Sequence, residues 1–117
     1  MFVYMLLCAD GSIYTGTARD LAHRMRDHFE CTPACAAYTR AHKAKYLLGA
    51  WECESRSGAL RAEAAIKRLK RQEKETLLAA PEGLSAERFP TLTEEYRPLP
   101  EGDERLRAVR TAYPIDK

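Results

Sequence analysis

The sequence of 117 residues predicts an α+β fold. It reads as a small three-stranded sheet flanked by helices, in the order ββαβα with room for a further helix, followed by an irregular C-terminal extension. Three observations predict this. Two apolar, β-branched and aromatic runs near the N-terminus and a third near residue 50 supply strands, and apolar residues at helical spacing supply helices. Composition then changes near residue 80: five of the six prolines lie at 81, 90, 98, 100 and 114, so regular structure there is expected to be short and interrupted.

Phe2-Val3-Tyr4-Met5-Leu6-Leu7-Cys8 is continuous enough for a buried strand, and Ala9-Asp10-Gly11 supplies turn chemistry before a second strand over residues 12–17. The turn length decides which side chains share a face. A two-residue Asp10-Gly11 loop sets Tyr4 opposite Thr17 and sends Tyr4 and Tyr14 to opposite faces. A three-residue Ala9-Asp10-Gly11 loop gives Gly11 the left-handed bulge position, pairs Leu6 with Tyr14 and brings both rings to one face. The three-residue form is expected. Asp20 caps a helix running to about Phe29, with Leu21, Met25 and Phe29 at helical spacing. A polar loop over residues 30–44 and a third strand over residues 46–53 follow. Ser57 caps the next helix, which contains Leu60, Ile66 and Leu69. The pattern continues through Leu77 and Leu78 to Pro81 as one long helix or two short ones, since Leu69-Lys70-Arg71 offers no breaker.

Charged residues make up 31% and hydrophobic ones 45%, with a formal charge of +2, so neither disorder nor a strongly basic nucleic-acid binder follows from the totals. The charge is divided unevenly. Residues 1–80 carry thirteen Lys and Arg against nine acids, and residues 81–117 carry six against eight. The domain is therefore placed at residues 1–80, with a Pro-rich, mildly acidic extension at 81–117. Met1 to Cys8 does not read as an export signal, having no basic start, too short an apolar run and Leu7 where a cleavage site needs a small residue. No stretch approaches the roughly twenty apolar residues that span a bilayer. A cytoplasmic location without membrane partners is expected, with Cys8, Cys31, Cys35 and Cys53 as free thiols.

Several polar residues sit where the pattern wants apolar ones. On the first helix His28 shares a sector with Leu21 and Met25, with Arg24 four residues back; the two are either a snorkelling arginine and a satisfied histidine, or a phosphate-facing pair. Glu63 lies about 40° from the stripe of Ala59, Ala62 and Ile66, placing a carboxylate near the inward edge of its helix. Its cation is either Lys67, four residues on, or a divalent metal, for which one carboxylate plus waters and substrate phosphate suits magnesium. Tyr4 and Tyr14 are core aromatics or acid–base groups. Cys31-x-x-x-Cys35 with His28 and His42 can be drawn as a zinc site, though the spacing is loose.

Taken in order, Phe2-Val3-Tyr4, Tyr14-Thr15-Gly16, Arg24-x-x-x-His28, Tyr38-Thr39-Arg40 and the run from Leu60 to Lys67 around Glu63 resemble the GIY-YIG nucleases. The likeness is to the small stand-alone bacterial branch, which is also similar to the catalytic domain of structure-specific DNA junction resolvases. It covers residues 2–79. The resemblance implies that Tyr4 and Tyr14 are the tyrosines of the first and second motifs, Arg24 the catalytic arginine, His28 the histidine after it and Glu63 the metal-binding glutamate. It implies a metal-dependent DNA endonuclease using Mg2+ or Mn2+, with single-stranded or branched DNA as partner.

In-line attack builds negative charge on the phosphoryl group, which a metal on Glu63 and the Arg24 guanidinium offset. A tyrosine accepts the water's proton only if its neighbours depress a reference pKa near 10. Tyr4 is favoured as the base, with Tyr14 orienting the water, and the reverse assignment stays open. Tyr38, Thr39, Arg40, Lys43 and Lys45, with Arg61 and Lys67, are the expected DNA-gripping residues. Phe2 and Thr15 depart from the motif's name, and the loop before Tyr38 lacks the family's glycine and lysine. The alternative is a catalytically weak DNA-binding module that retains the fold. Glu94, Glu95, Glu101, Asp103 and Glu104 are candidates for folding back on the basic surface to restrain activity, which predicts faster cleavage after truncation near residue 80.

Overall fold

A computed structural model describes residues 1–115 of the chain. The elements are β1 (Phe2–Cys8), β2 (Ile13–Ala18), α1 (Leu21–Phe29), α2 (Ala37–Ala41), β3 (Ala44–Glu52), α3 (Arg56–Lys67), α4 (Arg71–Ala79), β4 (Arg97–Pro98) and α5 (Glu104–Ala112). The class is α+β as expected. The sheet, however, has four antiparallel strands in the order β2-β1-β3-β4, rather than three. The hairpin takes the three-residue turn: Leu6 pairs with Tyr14, Tyr4 with Gly16, and Gly11 sits at φ 87°, which suits glycine. Asp10 braces the turn, its carboxylate accepting from the Ser12 hydroxyl at 2.6 Å and the Ser12 N–H at 3.0 Å.

Side chains alternate along β1, so the sheet has two covered faces. Phe2, Tyr4 and Leu6 point toward α1 and α5, where Leu21, Met25, Leu47, Leu106 and Val109 join them. Val3 and Met5 point toward α3 and α4, among Trp51, Ala59, Ala62, Ile66 and Leu77. Each large aliphatic side chain buried this way stabilises the fold by about 1.5–3 kcal/mol.

The helix boundaries follow from their caps. Asp20 accepts from the His23 N–H at 3.1 Å and starts α1. Ser55 rather than Ser57 caps α3, because Ser55 has the extended backbone an N-cap needs and its hydroxyl accepts from the Gly58 N–H at 3.0 Å. Ser57 lies within the first turn. The segment read as one or two helices is two: the Leu69 N–H closes α3 on the Ile66 carbonyl at 3.0 Å, and the Glu73 carboxylate accepts from the Lys70 N–H at 2.8 Å to open α4. The expected polar loop over residues 30–44 contains α2.

The extension is not irregular. A 3-10 turn at Pro81–Gly83 leads to a strand and a nine-residue helix. Its prolines mark boundaries of structure: Pro81 opens the 3-10 turn, and Pro98 pairs with Trp51 on the edge strand, where a missing N–H is tolerated. Leu84, Phe89, Leu92 and Tyr96 join the α3–α4 side, while Leu99, Leu106 and Val109 join the α1–α5 side. The Arg110 guanidinium donates to the Leu47 and Leu48 carbonyls at 3.0 and 2.9 Å. Among the described residues, the ion pairs of the five acids proposed to restrain the basic surface run to Arg97, Arg105 and Arg110, all within the extension. No helix among the described residues is long and apolar enough to cross a membrane.

Candidate active site

Tyr4 is fully buried in β1, and Gly16 makes room for it from the neighbouring strand. A Cβ at Gly16 would stand 2.5 Å from Tyr4 Oη and 2.9 Å from Tyr14 Cε2, so only hydrogen fits there. The Tyr4 hydroxyl meets His28 Nε2 at 2.6 Å, and His28 Nδ1 meets Thr39 Oγ1 at 2.8 Å. Thr39 Oγ1 is also 3.3 Å from the Ala36 carbonyl, which can only accept. The Thr39 hydroxyl therefore donates to Ala36 and accepts from Nδ1–H, which leaves Nε2 bare to accept the Tyr4 proton. Burial, aided by the Arg24 charge, lowers the His28 pKa to about 4, so the ring is neutral at neutral pH.

Tyr14 closes the cluster, its ring centroid 6.4 Å from that of Tyr4 and 5.4 Å from that of His28. Glu63 reaches the same place from α3, which packs on the other face of the sheet and meets β2 at its edge. Its side chain is 19% exposed and pairs with Lys67 Nζ at 3.1 Å, and that ammonium lies 5.6 Å from the Tyr14 ring centroid. Burial raises the pKa of both tyrosines, and Tyr14 adds to the effect at Tyr4 against the opposing pull of Arg24. At Tyr4 the loss of water outweighs the pull of the Arg24 guanidinium. Arg24 itself is aimed by the loop beyond α1: its Nη1 donates to the Ala34 carbonyl at 2.7 Å and lies 3.5 Å from Asp27 Oδ2.

Above Tyr14 rises a stack. Tyr38 lies on Tyr14 with centroids 5.5 Å apart, and His42 lies on Tyr38 at 4.2 Å. Asp10 secures His42, with 2.6 Å between Oδ2 and Nδ1. Lys43 and Lys45 are exposed nearby at the start of β3. The remaining residues expected to grip DNA are placed differently from one another. Thr39 is buried and serves His28. Arg40 is exposed, but its Nη2 donates to the Pro33 and Cys35 carbonyls at 3.1 and 3.3 Å. Arg61, about 200° around α3 from Glu63, donates to Thr93 Oγ1 at 3.2 Å on the extension's side.

Sequence reasoning missed Asp27, whose buried carboxylate accepts from the Thr32 hydroxyl at 2.7 Å and sits beside Arg24. The available signal was an acid one turn after an arginine on a single helix face. The steric demand at Gly16 was also missed, although the residue stood within the second tyrosine motif.

The donors near Tyr4 are hard oxygens: one carboxylate, at Glu63, and two phenols. Among the described residues no group of three or more His, Cys, Asp or Glu could hold a metal. Such a set fits a magnesium-like cation that keeps most of its waters and completes its shell from a phosphate. It does not fit zinc, which takes three or four protein ligands. The zinc grouping drawn from Cys31, Cys35, His28 and His42 does not form either, since Tyr4 and Thr39 occupy both His28 nitrogens and His42 is turned to Asp10. A cavity of about 680 Å³ between α1 and α5 contains none of the residues of this cluster.

A family model described as the GIY-YIG catalytic domain matches residues 1–76. A UPF0213 protein of Fusobacterium nucleatum is 38% identical over 81 residues, covering 69% of this chain and 79% of the relative. Another, of Desulfotalea psychrophila, is 41% identical over 91 residues, covering 77% and 82%. A third, of Xanthomonas axonopodis, is 41% identical over 78 residues, covering 67% and 74%. No solved structure matches the chain significantly.

Proposed function

This chain belongs to the GIY-YIG family, and on that premise we propose that it is a metal-dependent DNA endonuclease hydrolysing phosphodiester bonds beside Tyr4. The observation that carries the reading is the 2.6 Å contact in which the Tyr4 hydroxyl donates to His28 Nε2. It supports a proton path. As Tyr4 Oη takes a proton from the attacking water, its own proton passes to Nε2, and Thr39 holds the Nδ1–H of the resulting imidazolium. No free phenolate is needed, which suits a tyrosine whose burial disfavours one. Tyr14 borders the same space and orients the water.

Arg24 offsets the negative charge that grows on the phosphoryl oxygens. Glu63 would hold Mg2+ or Mn2+ in place of Lys67; the bound ion supplies charge stabilisation at the phosphate. Tyr38, stacked on Tyr14 and His42 and 37% exposed, offers a ring to a base that has left its stack, with Lys43 and Lys45 available to phosphates. This arrangement favours single-stranded or branched DNA.

Labelled single-stranded, duplex, flap and branched DNA, incubated with Mg2+ or Mn2+, tests the proposal. Wild type is expected to cut, and Glu63→Ala and Arg24→Ala to lose on the order of 100-fold or more in rate. Cutting that survives both substitutions refutes the site. Binding without cutting on every substrate indicates the DNA-binding module instead.

A further inference from the structure

The loop that aims Arg24 also brings two sulfurs together. α1 ends on Glu30, and Cys31 takes the left-handed position that helix ends usually give to glycine, at φ 51°. The Thr32 N–H closes that turn on the Asp27 carbonyl at 3.1 Å. The chain then doubles back, and Cys31 Sγ lies 3.6 Å from Cys35 Sγ. Cys31 is exposed and Cys35 is buried behind it. An accessible thiol with a second thiol in reach is the arrangement of an attacking and a resolving cysteine. Cys8 and Cys53 are both buried.

What lies between the two sulfurs gives the pair its importance. The Ala34 carbonyl accepts from Arg24 at 2.7 Å, the Cys35 carbonyl accepts from Arg40 at 3.3 Å, and the Thr32 hydroxyl donates to Asp27. A disulfide needs sulfurs about 2.05 Å apart, so they must close by roughly 1.5 Å. The backbone between them must adjust.

We propose that Cys31 and Cys35 form an oxidative modification site for peroxides, and that its closure to a disulfide draws the Ala34 carbonyl off Arg24 and slows the site. The Cys31 sulfur attacks the peroxide, forming S–O as O–O breaks, and the thiol proton leaves with the departing oxygen as water. The Cys35 sulfur then attacks that sulfur; S–S forms, S–O breaks, and the released hydroxide takes the Cys35 proton. Two thiols have lost two electrons, the peroxide has gained them, and two waters result. The sulfur chemistry stands on the geometry alone, whereas the effect on rate rests on the nuclease reading.

The full-length protein, reduced and then exposed to hydrogen peroxide, provides the test. Titratable thiols are expected to fall from four to two, and peptide mapping to join Cys31 to Cys35. DNA cleavage should drop on the order of ten-fold and return with dithiothreitol. Cys31→Ser should keep the reduced rate and ignore peroxide, and Cys35→Ser should stop at a Cys31 sulfenic acid that dimedone traps. Four thiols persisting in the folded wild type, a different pairing, or a mapped Cys31–Cys35 bond with unchanged cleavage overturns the proposal. A reduced protein that cuts no DNA overturns the nuclease reading instead, and the peptide map still decides whether the sulfurs join.

Discussion

His28 is held on both sides by groups that keep its ring neutral until Tyr4 gives up its proton. Thr39 accepts from one nitrogen and Tyr4 donates to the other, and burial discourages a charge between them. Its folded pKa of about 4 lies below the 6.5 of an unperturbed histidine, so between those values the unfolded chain binds the proton more readily. The resulting stability is complete above pH about 6.5 and is lost as the pH falls toward 4. Ring proton shifts followed by NMR should give His28 a midpoint near 4, and a midpoint at or above the unperturbed value would remove the neutral tautomer on which the proton path depends. At this scale the sequence carried a good deal. Tyr4 and Tyr14 share a face because Gly11 permits a three-residue turn, a relation readable from local rules. The service of Thr39 to His28 was not readable, because it spans a loop whose path no short-range preference sets.

α3 carries Glu63, and its N-terminus is tied down from outside the matched family region. The Glu94 carboxylate accepts from the Ser55 hydroxyl and from the N–H groups of Glu54 and Ser55, both at 3.1 Å. An acid at that end of a helix satisfies orphan donors and complements the helix dipole. Glu94→Ala should therefore lower stability by about 1–2 kcal/mol, read as a fall in Tm. The Ser55 hydroxyl bond, followed by the backbone N–H groups, holds the Glu94 pKa below its ordinary 4.5. A depressed acid stabilises above the unfolded pKa and ceases to as the pH falls through its folded value. The gap in Tm between wild type and variant should hence be widest at neutral pH and close in acid; a gap independent of pH would mean that Glu94 acts without its charge. Sequence reading treated this glutamate as part of an acidic restraint and chose Ser57 as the cap. Both choices followed from seeing one segment at a time, since the carboxylate that completes the cap is 39 residues away from Ser55. The same limit hid β4, two residues long and half proline, whose only signal is the strand it pairs with.

For the molecule as a whole, the question is whether residues 81–115 hang from the family domain or hold it together. Two faces of one sheet need two covers. The family match ends at residue 76, and on the α3–α4 side the cover is finished by Leu84, Phe89, Leu92 and Tyr96. On the opposite side Leu99, Leu106 and Val109 pack in the cluster that contains Tyr4, while Tyr113 stacks on Phe29 at 4.5 Å. Removing these side chains forfeits roughly 1.5–3 kcal/mol for each that is fully buried. Losing Leu84, Leu92 and Leu106, which are fully buried, together with four nearly buried neighbours is comparable with the about 5–15 kcal/mol by which a domain is usually stable. The break is also polar, because Trp51 loses the Pro81 carbonyl that its indole N–H donates to at 2.8 Å. A chain cut after residue 80 should thus fail to show a cooperative thermal transition and should have no cleavage activity under conditions where the full chain is folded. An acidic restraint demands the opposite, a folded fragment that cuts faster. Circular dichroism melts and single-turnover cleavage by the two chains separate these outcomes: a cooperative, faster fragment would return the extension to the role of inhibitor and place the stability of the site within residues 1–80.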